Sequence, residues 1–259
     1  MNDLRITLIQ TSLHWENRDA NLRMFSSHFD SIKDETDIIV LPEMFSTGFT
    51  MHPGVAETME GETLEWLTQE SKRKQCIITG SVLILDAGKY FNRLFWMKPD
   101  GNFHTNDKRH LFRLSGEEKI FAAGNKKLIV ELKGWKICPM VCYDLRFPVW
   151  SRRTPQADYD VLIYAANWPQ KRINAWNKLL PARAIENQSY VVGVNRWGKD
   201  GHNADHPGFS VALDYTGQKL NRNESGEFIE TVSLSYQALQ QFREHFPFQL
   251  DADEFELGK

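Results

Sequence analysis

Cysteine is scarce in this sequence: three residues, Cys76, Cys138 and Cys142, among 259. An odd count leaves at least one thiol unpaired within the chain. Cys138 and Cys142 fall in one apolar stretch that reads as a strand. Four strand residues span about 13 Å, whereas a disulfide needs Cα atoms within about 7 Å, which disfavours a bridge between them. No C-x2-C or Cys/His spacing of a zinc site occurs, so no metal is expected. Free thiols suit a reducing compartment. Basic blocks are missing too. Lys and Arg together number 31 against 34 Asp and Glu, a net charge of −3. That balance gives no footing for nucleic acid or for a polybasic membrane contact. No apolar run reaches the roughly 18 residues of a membrane span. The start, Met1-Asn2-Asp3-Leu4-Arg5, carries an acid and lacks the apolar core of a signal peptide. A cytoplasmic location, with neither nucleic-acid nor membrane partner, is the expectation. Pro/Gly/Ser-rich linkers, low-complexity runs and clear internal repeats are also absent. We therefore expect a single domain over residues 1–259, with a C-terminal tail from about residue 247.

What is present is enough apolar side chain for a sizeable core: 41% hydrophobic residues and 12% aromatic. Strands and helices alternate. Leu4 to Gln10 is a short apolar strand, and Leu22, Phe25, Phe29 and Ile32 then recur at helical spacing. Strands are read at 37–41, 76–85, 90–97, 127–132, 136–142, 160–166, 190–195, 209–214 and 228–234. Helices are read at 63–73, 171–187 and 236–245. Pro99-Asp100-Gly101 signals a hairpin turn. Several strands are apolar throughout, which implies burial on both faces or in a sandwich core. Hairpins among the strand-helix alternation argue against a purely parallel sheet. Pattern alone gives an α/β domain with mixed sheets.

Three places carry chemistry. Cys142 ends an apolar strand, where α/β folds place ligand chemistry. Phe147-Pro148-Val149-Trp150 beyond it resembles a helix start, and a helix N-terminus nearby favours a thiolate. The alternative is an inert core cysteine, which is also the reading for Cys76 and Cys138. Glu43, in Val40-Leu41-Pro42-Glu43-Met44-Phe45, is a carboxylate amid apolar residues. Such surroundings suit a general base; the alternative is a loop cap. Lys108, in Asp107-Lys108-Arg109-His110-Leu111-Phe112, offers an ammonium to a developing oxyanion. Alternatively it belongs to a solvated basic turn. Glu117 and Glu118 follow it, placed either to orient Lys108 or to face water.

Taken in order, Leu-Pro-Glu after a strand, Asp-Lys-Arg-His-Leu-Phe, and Val-Cys-Tyr-Asp-Leu-Arg-Phe-Pro resemble the nitrilase superfamily of carbon–nitrogen hydrolases. Ala166-Asn167-Trp168-Pro169, Ala182-Arg183-Ala184-Ile185-Glu186-Asn187 and the stretch from Gly208 to Gly217 extend the likeness from about Leu4 beyond Leu234. The resemblance implies an α-β-β-α four-layer sandwich with two mixed β-sheets. It also implies a homodimer or higher homo-oligomer, and a Glu-Lys-Cys catalytic set falling on Glu43, Lys108 and Cys142. A second family glutamate falls on Glu117, with Glu118 as the alternative one residue away. The branch resembled is the bacterial omega-amidases, which hydrolyse the terminal amide of 2-oxo acid amides such as 2-oxoglutaramate and 2-oxosuccinamate. In that reading Glu43 deprotonates the thiol and Cys142 forms a thioester, while Lys108 and the Tyr143 backbone N–H hold the oxyanion. Glu117 fixes Lys108, and no cofactor is needed. Arg146 is the candidate partner of the substrate carboxylate, against a surface ion pair. Trp168 walls the pocket, against plain core packing. Competing readings are an amidase or nitrilase for another small amide or nitrile, an acyltransferase using the same thioester, and a non-catalytic small-acid or partner-binding protein.

Overall fold

A computed structural model describes residues 2–256. The chain runs β1 (Leu4–Gln10), α1 (Arg18–Ser31), β2 (Ile38–Val40), α2 (Glu62–Lys74), β3 (Ile77–Asp86), β4 (Lys89–Met97) and β5 (Phe103–Asp107). It continues through α3 (Glu117–Ile120), β6 (Val130–Leu132), β7 (Trp135–Val141), α4 (Pro148–Ser151), β8 (Val161–Ala166), α5 (Ile173–Asn187) and β9 (Tyr190–Asn195). It ends with β10 (Trp197–Lys199), β11 (Asp205–Pro207), β12 (Val211–Leu213), β13 (Phe228–Leu234) and α6 (Tyr236–His245).

Two sheets result, in the orders β13-β1-β2-β3-β4-β5 and β12-β9-β8-β7-β6, with β10 and β11 as a separate hairpin. Both sheets are mixed. Three parallel central strands, β1-β2-β3 in one and β7-β8-β9 in the other, are flanked by antiparallel neighbours.

The period-2 alternation of each strand explains the layering. Leu4, Ile6 and Leu8 of β1 face Ile137 of β7 and Val161 and Ile163 of β8 in a core between the sheets. The intervening Ile9 turns outward, toward Phe25 and Phe29 of α1 and Leu64 and Leu67 of α2. On the second sheet Leu162 and Tyr164 turn outward toward Trp176, Leu180 and Ala184 of α5. Helices therefore cover both outer faces, giving four layers. Each fully buried Leu or Phe in them contributes about 1.5–3 kcal/mol. The α5 layer sits close because Gly193 of β9 has no side chain: a Cβ there would meet Leu180 Cδ1 at 2.7 Å and Trp176 Cζ2 at 2.8 Å.

The structure differs from the sequence expectations at several edges. The strand expected at 127–132 begins only at Val130. That expected at 209–214 shrinks to Val211–Leu213, because Gly208 and Phe209 adopt φ of +80° and +58°, which no extended strand accommodates. Cys142 lies just past its strand rather than in it. The helix expected from Lys171 starts at Ile173 after one 3-10 turn, Gln170–Arg172. Beyond Pro247, Phe248–Asp251 makes another 3-10 turn, and Gln249 donates to the Glu186 carbonyl on α5. Among the described residues no helix is long and apolar enough to cross a membrane.

Candidate active site

The carboxyl ends of β2, β5, β7, β8 and β9 converge. Pro42, without an N–H, ends β2, and Glu43 N–H then bonds the Ala166 carbonyl at the end of β8, at 3.4 Å. The loop can fold this tightly because Gly80 of β3 leaves room: a Cβ there would lie 2.8 Å from Leu41 Cβ and 2.9 Å from Phe45 Cδ1. Lys108 follows β5, its N–H bonded to the Asn92 carbonyl of β4 at 2.9 Å. Asn106 of β5 donates to Pro139 O of β7 at 2.9 Å and so pins one sheet to the other beside Cys142.

Cys142 itself has φ +42°, a left-handed conformation that costs a non-glycine residue on the order of 1 kcal/mol or more. It turns the chain from β7 into a 3-10 turn, Cys142–Arg146. Asp144 holds that turn. It accepts Val141 N–H at 3.3 Å on one oxygen, and His110 N–H at 3.0 Å and His110 Nδ1 at 2.8 Å on the other. His110 stacks flat on Phe147 with 3.7 Å between ring centres. Arg183 of α5 donates twice to the Leu145 carbonyl, at 3.1 and 2.7 Å.

Glu43, Lys108 and Glu117 form a sealed cluster, each at most 1% exposed. Lys108 Nζ donates to Glu43 Oε1 at 2.8 Å and to Glu117 Oε1 and Oε2 at 3.0 and 2.9 Å. Asn92 Nδ2 donates to Glu43 at 2.9 Å and to Glu117 at 3.4 Å. Asn167 N–H donates to Glu43 Oε2 at 3.0 Å, and Phe112 N–H to Glu117 Oε2 at 2.5 Å. The Phe49 ring lies 4.9 Å below the ammonium. Glu117, not Glu118, therefore enters the cluster.

The charges follow from these partners. Burial opposes the Lys108 ammonium, but Glu117 and then Glu43 more than offset it, so its pKa is raised. Burial pushes the Glu117 carboxyl up, against Lys108 and with the help of Glu43. The Cys142 thiol lies well above its ordinary value, through burial first and the charge of Glu43 second. Lys108 and the Asn167 N–H act against that rise. Two sequence expectations are corrected here. The helix after Cys142, Pro148–Ser151, is a single turn that begins six residues on, and burial and Glu43 push the thiol up rather than down. The surroundings of Glu43 are polar rather than apolar: an ammonium, an amide and a backbone N–H hold it.

Cys142, Glu43 and Lys108 open into a cavity of about 600 Å³, which Tyr143, Arg146 and Trp168 also line. The Arg146 guanidinium lies over the Trp168 ring at 5.0 Å, and it makes no ion pair among the described residues. The surface ion pair considered for it is not found among the described residues. Trp168 combines both of its readings: it is 3% exposed, packed on Trp176, and presents a face to the cavity. The β10–β11 hairpin closes one side with Asp200, His202 and His206.

Sequence reasoning missed Asn92, Asp144, His110 and Arg172. Asn92 carried a signal, being an amide inside the apolar strand Phe91-Asn92-Arg93-Leu94-Phe95. The other three gave none that distinguishes them from solvated polar residues.

Residues 5–244 match the carbon-nitrogen hydrolase family. The chain is similar to the omega-amidase YafV of Yersinia enterocolitica, 45% identical over 99% of this chain and 100% of the relative. It is also similar to the 2-oxoglutaramate amidase of Bacillus subtilis, at 29% identity over 93% of this chain and 95% of that one. Among solved structures it is similar to XC1258 from Xanthomonas campestris, a CN-hydrolase superfamily protein with an arsenic adduct in its active site. That likeness has a TM-score of 0.97, 42% identity and full coverage of both chains.

Proposed function

The chain belongs to the carbon-nitrogen hydrolases, and from that premise we propose that it is an omega-amidase, releasing ammonia from the terminal amide of 2-oxo acid amides by way of a thioester on Cys142. One observation carries the assignment of the chemistry: a buried thiol stands beside the hydrogen-bonded Glu43–Lys108 pair at the floor of a cavity that can hold a small acid.

The roles follow from proton accounting. The thiol is not ionised beforehand, so Cys142 must lose its proton as it attacks the amide carbon. Glu43, next to it, is the acceptor. The carbonyl oxygen becomes an oxyanion facing the Lys108 ammonium and the Tyr143 backbone N–H. Glu43 returns the proton to the leaving nitrogen, the carbon–nitrogen bond breaks, and ammonia departs. Water then gives its proton to Glu43 and attacks the thioester. The Cys142–carbon bond breaks, and the sulphur regains its proton. Glu117 stays hydrogen-bonded to Lys108 throughout and keeps the ammonium aimed. Arg146, over the Trp168 ring and without an ion pair among the described residues, is the partner for the substrate's far carboxylate. Trp168 supplies the apolar wall.

The same reading carries self-association. Ile185 of α5, and Phe246 and Leu250 on the segment that Gln188 and Gln249 tie to the end of that helix, are 49–85% exposed, an apolar face suited to a second copy of the chain. Sedimentation should then give a dimer or larger.

Ammonia release from 2-oxoglutaramate, 2-oxosuccinamate, glutamine, asparagine and simple nitriles tests the substrate class. The 2-oxo acid amides should exceed simple nitriles in kcat/KM by about a hundredfold, the worth of one well-placed charge pair that a neutral substrate lacks. Glutamine and asparagine, which carry the same carboxylate, should also fall below them, and Cys142→Ala should abolish the activity without unfolding the protein. Preference for a nitrile, or full turnover by Cys142→Ala, would overturn the reading.

A further inference from the structure

We propose that Arg172 is a second carboxylate-binding residue, and that with Arg146 it forms a two-guanidinium receptor that admits 2-oxo acid amides and turns away their 2-amino counterparts. This rests on the omega-amidase reading and names the device that sets its substrate class.

Arg172 closes the 3-10 turn that follows β8. The Trp168 indole N–H donates to its carbonyl at 2.8 Å, so the tryptophan that carries Arg146 on its face also fixes the backbone of Arg172. The Arg172 guanidinium lies over Phe112 at 4.7 Å, and both arginines line the cavity above Cys142. Among the described residues neither guanidinium makes an ion pair or a side-chain hydrogen bond. Three more deeply placed arginines do: Arg93 pairs with Asp86 and Asp107, Arg183 with Glu186, and Arg243 with Asp160. Arg109, over Trp150 at 4.5 Å, is unpaired as well, but it does not line the cavity. Burial, and then the charge of Arg146, pull the pKa of Arg172 down, with Cys142 opposing. Two cations are thus held near one another, partly desolvated, each on an aromatic face and without an acid.

An anion between them removes the repulsion and supplies acceptors for two planar forks. A 2-oxo acid offers a carboxylate with a carbonyl oxygen on the adjacent carbon, so every atom at that end accepts. A 2-amino acid places an ammonium where the oxo group would be. Its N–H donors then meet donors, and its charge meets like charge. Three acids line the cavity. Glu43 is paired with Lys108, Asp200 accepts the His202 and Ala204 N–H groups at 2.8 and 2.9 Å, and Asp205 stands exposed on the rim. One arginine would attract the carboxylate of either compound, but two discriminate between them.

Arg172→Met keeps the apolar stem on Phe112 and removes the charge; Arg172→Lys restores the charge without the fork. Steady-state kinetics on 2-oxoglutaramate, glutamine and a neutral aliphatic amide would be compared. In Arg172→Met, KM for 2-oxoglutaramate should rise at least about tenfold with kcat within about threefold, the pattern of lost uniform binding. The ratio of kcat/KM between 2-oxoglutaramate and glutamine should fall at least about tenfold, and Arg172→Lys should recover part of it. Equal losses on all three substrates, or an unchanged ratio, would overturn the role of Arg172 alone. A wild-type protein that releases no ammonia from 2-oxoglutaramate would overturn the omega-amidase reading and this inference with it.

Discussion

On the floor of the cavity, Glu43, Glu117 and Lys108 answer one another, with Asn92, Asn167 and Phe112 supplying further hydrogen bonds. On its wall, Arg146 and Arg172 are answered by aromatic faces only. The floor is almost wholly buried beneath the cavity, whereas the arginines of the wall are half exposed. The difference follows from what each does in the proposed reaction. Stabilising a developing oxyanion is most effective when the dipoles are already in place, because nothing then has to reorganise during the reaction. A completed hydrogen-bond network in low dielectric provides that rigidity. A recognition surface has the opposite requirement: guanidiniums already paired with protein acids would have to surrender those partners to every substrate. Floor residues should therefore couple activity to stability, and wall residues should affect binding alone.

The sharpest way to break this contrast is Lys108→Met. It leaves Glu43 and Glu117 buried, hydrogen-bonded to the same Asn92 amide, and without a cation. Turnover should fall by about a hundred- to a thousandfold, as for loss of an oxyanion donor. Opening a buried ion pair costs about 3–5 kcal/mol, so the melting temperature should drop by roughly 10 °C at about 2–4 °C per kcal/mol. Lost activity with an unchanged melting temperature would show that the cluster is not the rigid unit described.

Arg146→Ala should behave differently. KM for 2-oxo acid amides should rise about ten- to a hundredfold, in line with one charge-assisted pair. The value of kcat and the melting temperature should move little. An equal loss on a neutral amide would remove Arg146 from carboxylate recognition and erase the distinction between floor and wall.

The floor was far more legible in the sequence than the wall. Glu43, Lys108 and Cys142 each follow a strand directly, in short stretches with a recognisable order. Local chemistry alone was misleading even there, because it counted the nearby helix start in favour of a thiolate and omitted a carboxylate 99 residues away in sequence. Asn92 meets Glu43 across 49 residues, a relation that no window of sequence contains. The four layers followed only from the resemblance; strand periodicity assigns inner and outer faces but does not say which strands share a sheet. Arg172 falls within the helix read at 171–187, where nothing in the sequence sets it apart. Its place on the wall depends on Trp168 gripping its carbonyl.

The smallest expected effect concerns a neighbour that bears the positive field of the wall. His206, on β11, is buried, and its Nδ1 lies 3.1 Å from the Ala204 carbonyl. Burial first, then the charges of Arg196 and Arg172, pull its pKa from 6.5 to about 4, against Asp200 and the Ala204 carbonyl. A depressed value means that the folded protein takes up this proton less readily than the unfolded chain does. Stability from this group is therefore complete above about pH 6.5 and is lost as the pH falls toward about 4, by as much as roughly 3 kcal/mol. At about pH 5 the loss is nearer 2 kcal/mol, or some 4–8 °C. Melting curves at about pH 7 and 5 should show wild type losing that much more than His206→Gln. A carboxylate seated between Arg146 and Arg172 would offset part of the field on His206, so a saturating 2-oxo dicarboxylate should shrink the excess. An excess that the ligand leaves untouched would mean that the wall and His206 are electrostatically separate.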